Sequence, residues 1–402
     1  MKICYGSAAD KLLKLLTLYG DFPYSSLHLL DVNHKWAVET VRSLKKAKYV
    51  TVTGSGQRKS IRLLKAGYDC ICQMGNSYKQ QYDFMVGENY ISSDWEHGWK
   101  RHRVAETMAL MEKAKIITRV ALKPPIKKAD DIPYLDGDES DGSFFYTPKE
   151  LKNAALPTSP EEAVKLRSAR MTGLCTFPSG IYSVYNISSG GGFYKMLEDG
   201  QMRAFIQRLV KPNGWRRAHE TDIESLGMRS IVVGRDVDAG VKLIQENLKD
   251  GKRLAMELGE AFVTAHFVPL NNIGTGMLRI IQQEDFSDRL IDATISYDIR
   301  VAAKAIHVAA DGYDVDSQTY VLVLFDSDLK KLKQFALGIY SLRIAQERCQ
   351  IACFDWQTPI VRSVLPGAVV QTFDMDEIER KVFGDGDAES AGSATGYSDN
   401  GE

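Results

Sequence analysis

Three apolar runs in the last third of the chain end in the same dipeptide: Phe325-Asp326, Phe354-Asp355 and Phe373-Asp374. Carboxylates gathered at the carboxyl ends of parallel strands can hold a divalent cation, and the chemistry they would serve is metal-assisted cleavage of phosphodiesters. The same aspartates also stand where the next helix or turn would start: Asp326 and Asp328 precede Leu329-Lys330-Lys331, and Asp374 precedes Met375-Asp376-Glu377-Ile378. An acidic residue there stabilises a helix start by about 0.5 to 2 kcal/mol without any metal. Capping is therefore the expectation, and a divalent-metal nuclease the alternative. Glu150-Leu151-Lys152 has the letters of a nuclease Glu-x-Lys. It falls within "YTPKELK", however, where Thr147 caps, Pro148 takes the first helical position and Glu150 the third, a capping box. No Gly-x-x-x-x-Gly-Lys-Ser/Thr loop is present, so an ATPase is not supported. The histidines at 28, 34, 97, 102, 219, 266 and 307 are not paired for a zinc site, nor are Cys4, Cys70, Cys72, Cys175, Cys349 and Cys353. The expectation is a protein without catalytic residues, metal or cofactor.

The other chemistry legible in the chain is phosphate binding. In a helical pattern from His34 to about Lys48, Lys35, Glu39, Arg42, Ser43 and Lys46 fall on one side, and Ala37, Val38, Val41 and Leu44 on the other. Gln57, Arg58 and Lys59 lie at the turn of a following hairpin. Residues 1–72 hold nine Lys and three Arg against four Asp and one Glu, a formal charge of +7 where the whole chain carries −1. Positive charge concentrated on one module is what sequence-independent attraction to DNA requires. These eight polar residues are the expected DNA-binding set.

The elements that must position them read in order. Leu12, Leu15, Leu16 and Tyr19 mark a first helix from Ala8, stopped by Gly20 and Asp21; a short second helix runs from Tyr24 to Leu30; Asn33 is the N-cap of the third. Val50 and Val52, then Ile61 and Leu63, alternate around Gly54-Ser55-Gly56 as a hairpin. This is the order of a winged helix-turn-helix, with the third helix for the major groove.

The 402 residues, 44% hydrophobic and 26% charged, suit a globular protein of two or three domains. No apolar run of about 18 residues and no secretory h-region is present, so a cytoplasmic location without membrane partners is expected. The pattern gives a winged helix over 1–72, a helical extension over 73–122, an acidic, proline-containing linker over 123–143, an α/β domain over 144–383 and a disordered acidic tail over 384–402. Residues 73–93 read as loop or short irregular helix, and Arg101 to Ala114 as a helix with Trp99, Lys100, Arg101, His102 and Arg103 at its start. Such a basic helix start opposes the helix dipole and suits a nearby anion; pairing with acids such as Glu106 is the alternative. Beyond the linker, hairpin Thr172–Phe177/Ile181–Asn186 is followed by alternating strands and helices, including a strand Met277–Ile281, which argues a mixed, partly parallel sheet.

The ending "RLLKAGYD" followed by "WKRHRVAETMALME" resembles the replication-relaxation family of plasmids and integrative conjugative elements, with Leu63, Gly67, His102, Val104, Ala105 and Met108 at matching positions. "FFYTPKELK", "RSARMTGL", "IYSVYN" and "IACFDWQ" are similar to proteins of conjugative elements. The resemblance implies a mobile-element protein that binds double-stranded DNA and assists a relaxase or another conjugation protein. A homodimer and a ligand-sensing winged-helix regulator stay open.

Overall fold

In the computed structural model the described residues are 3–30, 32–87, 95–128, 142–154, 170–188, 196–210, 212–215, 228–249 and 254–384. Ser7 caps α1 (Ala8–Tyr19), its hydroxyl accepting from Asp10 N at 3.2 Å, and Gly20, at φ 73°, closes it. The leucines at 12, 13, 15, 16 and 18 are buried. β1 (Asp21–Pro23) and a 3-10 stretch, Tyr24–Leu30, lead to α2 (His34–Lys46). Asn33 Oδ1 accepts from Lys35 N at 2.9 Å, and Ala37, Val41 and Leu44 face inward. β2 (Val50–Thr53) and β3 (Ser60–Leu63) form the expected hairpin, and β3 also pairs with β1, so the sheet order is β1-β3-β2. Three residues ending in proline are too short to show alternation, so β1 was invisible as a strand.

After β3 the sequence pattern offers one more turn of structure from Lys65 to Cys72 and then loop or short irregular helix; the structure has two helices there. They are α3 (Lys65–Met74) and α4 (Asn76–Val86). The inward face of α4 is partly polar: Gln81 is fully buried, its amide donating to Leu18 O and its carbonyl accepting from Val120 N. A helix whose contact residues are Gln81 and Met85 has almost no apolar period to read. At the start of α3, a Cβ on Gly67 would stand 2.2 Å from Tyr49 O. Glycine is thus what lets the end of the hairpin lie against that helix. α5 (Trp95–Lys113) buries Val104, Ala105, Met108, Ala109, Leu110 and Met111, nearly all the way round.

After α5 come β4 (Phe144–Tyr146), α6 (Pro148–Ala154), β5 (Met171–Phe177), β6 (Gly180–Asn186), α7 (Met196–Val210), β7 (Met228–Gly234), α8 (Val237–Leu248), β8 (Phe262–Pro269) and α9 (Asn272–Gln282). The strands stand in the order β4-β5-β6-β7-β8, antiparallel as far as β6 and parallel from β6 to β8. The fold is α/β with mixed sheets. The expected capping box forms: Thr147 N donates to Glu150 Oε2 at 2.8 Å and Glu150 N to Thr147 Oγ1 at 3.3 Å. Met277–Ile281 is not a strand but the body of α9, with Met277, Leu278, Ile280 and Ile281 buried at helical spacing. Short apolar runs leave that choice open, and here Asn271, accepting from Gly274 N, starts a helix.

A second sheet, β12-β11-β10-β9, is built from β9 (Gly312–Asp314), β10 (Thr319–Val323), β11 (Cys349–Phe354) and β12 (Val369–Phe373), with β10, β11 and β12 parallel. Its helices are α10 (Phe286–Asp292), α11 (Tyr297–Ala303), α12 (Leu329–Ser341), α13 (Thr358–Val364) and α14 (Met375–Phe383). Contacts divide the chain into two compact units, 1–284 with 327–333, and 285–326 with 334–402. That division does not fall at 123–143. Lys123 is buried, with Nζ 2.8 Å from Glu150 and donating to Thr118 O, and Lys127 exchanges hydrogen bonds with Asn213. Residues flanking the acidic stretch are thereby packed into the first unit. The acidic stretch 129–141, residues 160–169, where the sequence pattern gives a helix from Pro160, the Gly190-Gly191-Gly192 run and the tail beyond Gly384 lie outside the described residues. Among the described residues no helix is long and apolar enough to cross a membrane.

Candidate nucleic-acid interface

The outward face of α2 carries Lys35, Glu39, Arg42, Ser43 and Lys46, all exposed. Trp36 joins them at 69% exposed. A sequence reading that sorts tryptophan into the core misses it, although Trp36 and Ser43 are seven residues apart and so share a face. Arg42 Nη1 lies 3.2 Å from Glu39 Oε2, an exposed pair worth at most about 1 kcal/mol. At the hairpin, Arg58 is exposed, while Lys59 is half-buried with Nζ 3.7 Å from the centroid of the Tyr24 ring. The side chain of Gln57 is outside the described residues. The other seven expected residues therefore divide into a helix face, an exposed arginine and a lysine partly committed to an aromatic ring.

A buried carboxylate links β1 of this module to β3 and to α5. Asp21, in β1, is 1% exposed. Its Oδ2 accepts from Arg62 Nη2 at 3.0 Å and from Arg101 Nε at 3.4 Å, and Oδ1 stands 3.4 Å from His102 Nε2. Burial works against its ionisation, but hydrogen bonding to His102 and the charges of His102 and Arg62 outweigh it and hold the carboxyl well below the usual range. The basic run thus sits inside α5, which begins at Trp95, and not at a helix start. Its Arg101 and His102 serve an internal acid, which removes the reason to place an external anion there. Arg103 is buried as well, its guanidinium brought down to about 10 by burial and by the charge of Arg170, against the opposing charge of Glu106. Glu106 itself accepts from the hydroxyls of Ser26, at 2.5 Å, and Ser188, at 2.7 Å. Beside it a cavity of about 270 Å³ opens where β7 and β8 end, with Trp99, His102, Glu106, Arg235 and Leu270 in its wall.

In the second unit β10, β11 and β12 are adjacent and parallel, so Asp326, Asp355 and Asp374 leave along one edge. Their side chains are engaged separately. Asp374 caps α14, Oδ1 accepting from Glu377 N at 2.9 Å. Asp326 accepts from the Ser287 hydroxyl at 3.2 Å, and Asp355 is exposed in a 3-10 turn. The cap before α12 is Asp328, in the first unit, whose Oδ1 accepts from Lys330 N and Lys331 N. Among the described residues no group of three or more His, Cys, Asp or Glu could hold a metal ion. Because asparagine caps about as well as aspartate, Asp374→Asn is expected to change stability by less than about 0.5 kcal/mol and Asp374→Ala to cost about 1 kcal/mol. Urea midpoints of the two variants check this, and equal losses would mean that Asp374 does more than cap.

The described residues define an α/β protein of two compact units, the first of which carries a basic helix-and-hairpin module. No family model, curated protein or solved structure matches the chain.

Proposed function

We propose that the protein is a sequence-specific binder of double-stranded DNA, an accessory protein of a conjugative or plasmid element acting in relaxosome assembly, replication or transcription control, without catalysis of its own. The observation that carries the DNA-binding part is the α2 face: Lys35, Arg42, Ser43 and Lys46 exposed on one helix beside a strand–turn–strand with Arg58 near its tip. A helix of this length fits the major groove, and a flanking hairpin reaches phosphate. The mobile-element context rests on the resemblance of Leu63, Gly67, His102, Val104, Ala105 and Met108 to the replication-relaxation pattern. A relaxase is the protein partner that context supplies.

The test uses the full chain, because cutting after residue 72 would strip Asp21 of Arg101 and His102. Titration against labelled duplex at several salt concentrations is expected to show affinity falling steeply with salt, with a logarithmic slope near −0.9 per phosphate contact. A flat response, or no binding at low salt, defeats the reading. A second reading, a ligand-sensing regulator, is favoured by the cavity beside Glu106, one wall of which is the Pro23–His28 segment leading into α2.

A further inference from the structure

The outward face of α2 carries one side chain that charge does not explain. Trp36 is 69% exposed, in the first turn of the helix that Asn33 caps. Among the described residues its indole makes no ring contact and no hydrogen bond. A tryptophan covers on the order of 200 Å² when it finds a partner, so one left in water forgoes a large contribution. Its surroundings indicate the partner. Residues three, four and seven places on share its side of the helix: Glu39, Thr40 and Ser43. Lys35, Arg42 and Lys46, all exposed, continue the same outward face. Three cations against one acid leave that face positive, which draws a polyanion and repels a basic surface.

A helix that reads DNA meets base edges with its N-terminal residues, and Trp36 stands at that end of α2. The chemistry of indole then selects the base. Its polar atom, Nε1–H, donates, and the side chain has no acceptor. In the major groove cytosine presents only a donor, its N4 amino group, to which Trp36 has nothing to offer. Adenine and guanine present acceptors but no apolar group. Thymine alone presents both a methyl group for the ring and the O4 acceptor for the N–H.

We infer that Trp36 is a specificity-determining residue of the α2 face, its indole packed on the 5-methyl group of a thymine in the major groove and its Nε1–H directed to O4. The inference rests on the DNA-binding reading and names one base of the site. Its test starts from a duplex selected from a random pool with the full chain. Each thymine of that duplex is then replaced singly by uracil, which removes the methyl group and keeps every hydrogen-bonding group. At one position uracil is expected to weaken binding about fourfold, the worth of one buried methyl group. Trp36→Ala should weaken binding to the thymine duplex at least as much and be indifferent to that uracil, so that the two changes do not add. Trp36→Phe, which keeps an aromatic face and drops the donor, should bind less tightly than the unaltered protein yet still discriminate against uracil. Because Trp36 is exposed, neither variant should move the unfolding midpoint. Uracil tolerated at every position, a uracil penalty that persists in Trp36→Ala, or Trp36→Ala binding the selected duplex as tightly as the unaltered protein would each overturn the assignment. All three outcomes leave duplex binding intact, whereas failure of the unaltered chain to bind any duplex in the pool defeats the DNA-binding reading itself, and this assignment with it.

Discussion

Asp21→Ala is expected to destabilise the first unit by about 3 to 5 kcal/mol, the magnitude seen when one partner of a buried ion pair is removed and its counter-charges are left in place. The side chains of Arg62 and Arg101 are 18% and 15% exposed, so neither recovers full hydration when the carboxylate goes. The pH dependence carries the sign of a depressed acid. Because the folded protein holds Asp21 below its unfolded value, the stabilisation is complete above the ordinary carboxylate pKa of about 3.9 and is lost as pH falls through and below it. Urea midpoints measured from pH 7 down to pH 3 should therefore fall in the unaltered protein. Asp21→Asn should start lower at pH 7 and lack that part of the acid limb. An Asp21→Asn midpoint equal to the unaltered one at pH 7 would mean that the cluster of Arg62, Arg101 and His102 is indifferent to the charge it surrounds.

That cluster also marks where sequence stops being informative. Helices α1 and α2 and the β2–β3 hairpin were legible because their apolar residues recur at 3.6 or 2 positions and their ends carry Asn33 and Gly20. The capping box at Thr147 and Glu150 was legible for the same local reason, its partners lying three residues apart. Asp21 instead meets Arg62 and Arg101 across 41 and 80 residues, a separation no periodicity encodes. Asp21 accordingly read as a helix stop, and Arg101 as a helix-start charge facing either an outside anion or an acid close in sequence such as Glu106. α4 read only as loop or short irregular helix because its contact face includes a hydrogen-bonded glutamine, and α9 was taken for a strand because four apolar residues in a window of five satisfy either period. The candidate DNA face was predictable as polarity, whereas Trp36 needed the structure, since only packing tells an exposed tryptophan from a core one. The cavity beside Glu106 needed it entirely: Ser26, Glu106, Ser188 and Arg235 are scattered over four elements or loops and share no motif.

The helix face and the hairpin should respond differently to mutation. If α2 enters the major groove, Arg42→Ala and Lys46→Ala remove donors that reach base edges. Each should weaken binding to the preferred duplex by about 1 to 3 kcal/mol, with much smaller loss on unrelated duplex. Both side chains are exposed and point away from Val41 and Leu44, so unfolding midpoints should be unchanged within about 0.5 kcal/mol. If the hairpin lies against the DNA backbone, Arg58→Ala removes a phosphate contact. Phosphate carries no sequence information, so affinity should fall on all duplexes alike and the salt slope should shrink by about one unit. Lys59→Ala should do the same but also lose its contact with the Tyr24 ring, a stability loss of about 0.5 to 1 kcal/mol. Fluorescence anisotropy with a preferred and a scrambled duplex, each at three salt concentrations, separates the two behaviours. Uniform loss in all four variants would leave α2 with no claim to be the recognition helix, because a helix that reads sequence must discriminate and one that only touches phosphate cannot.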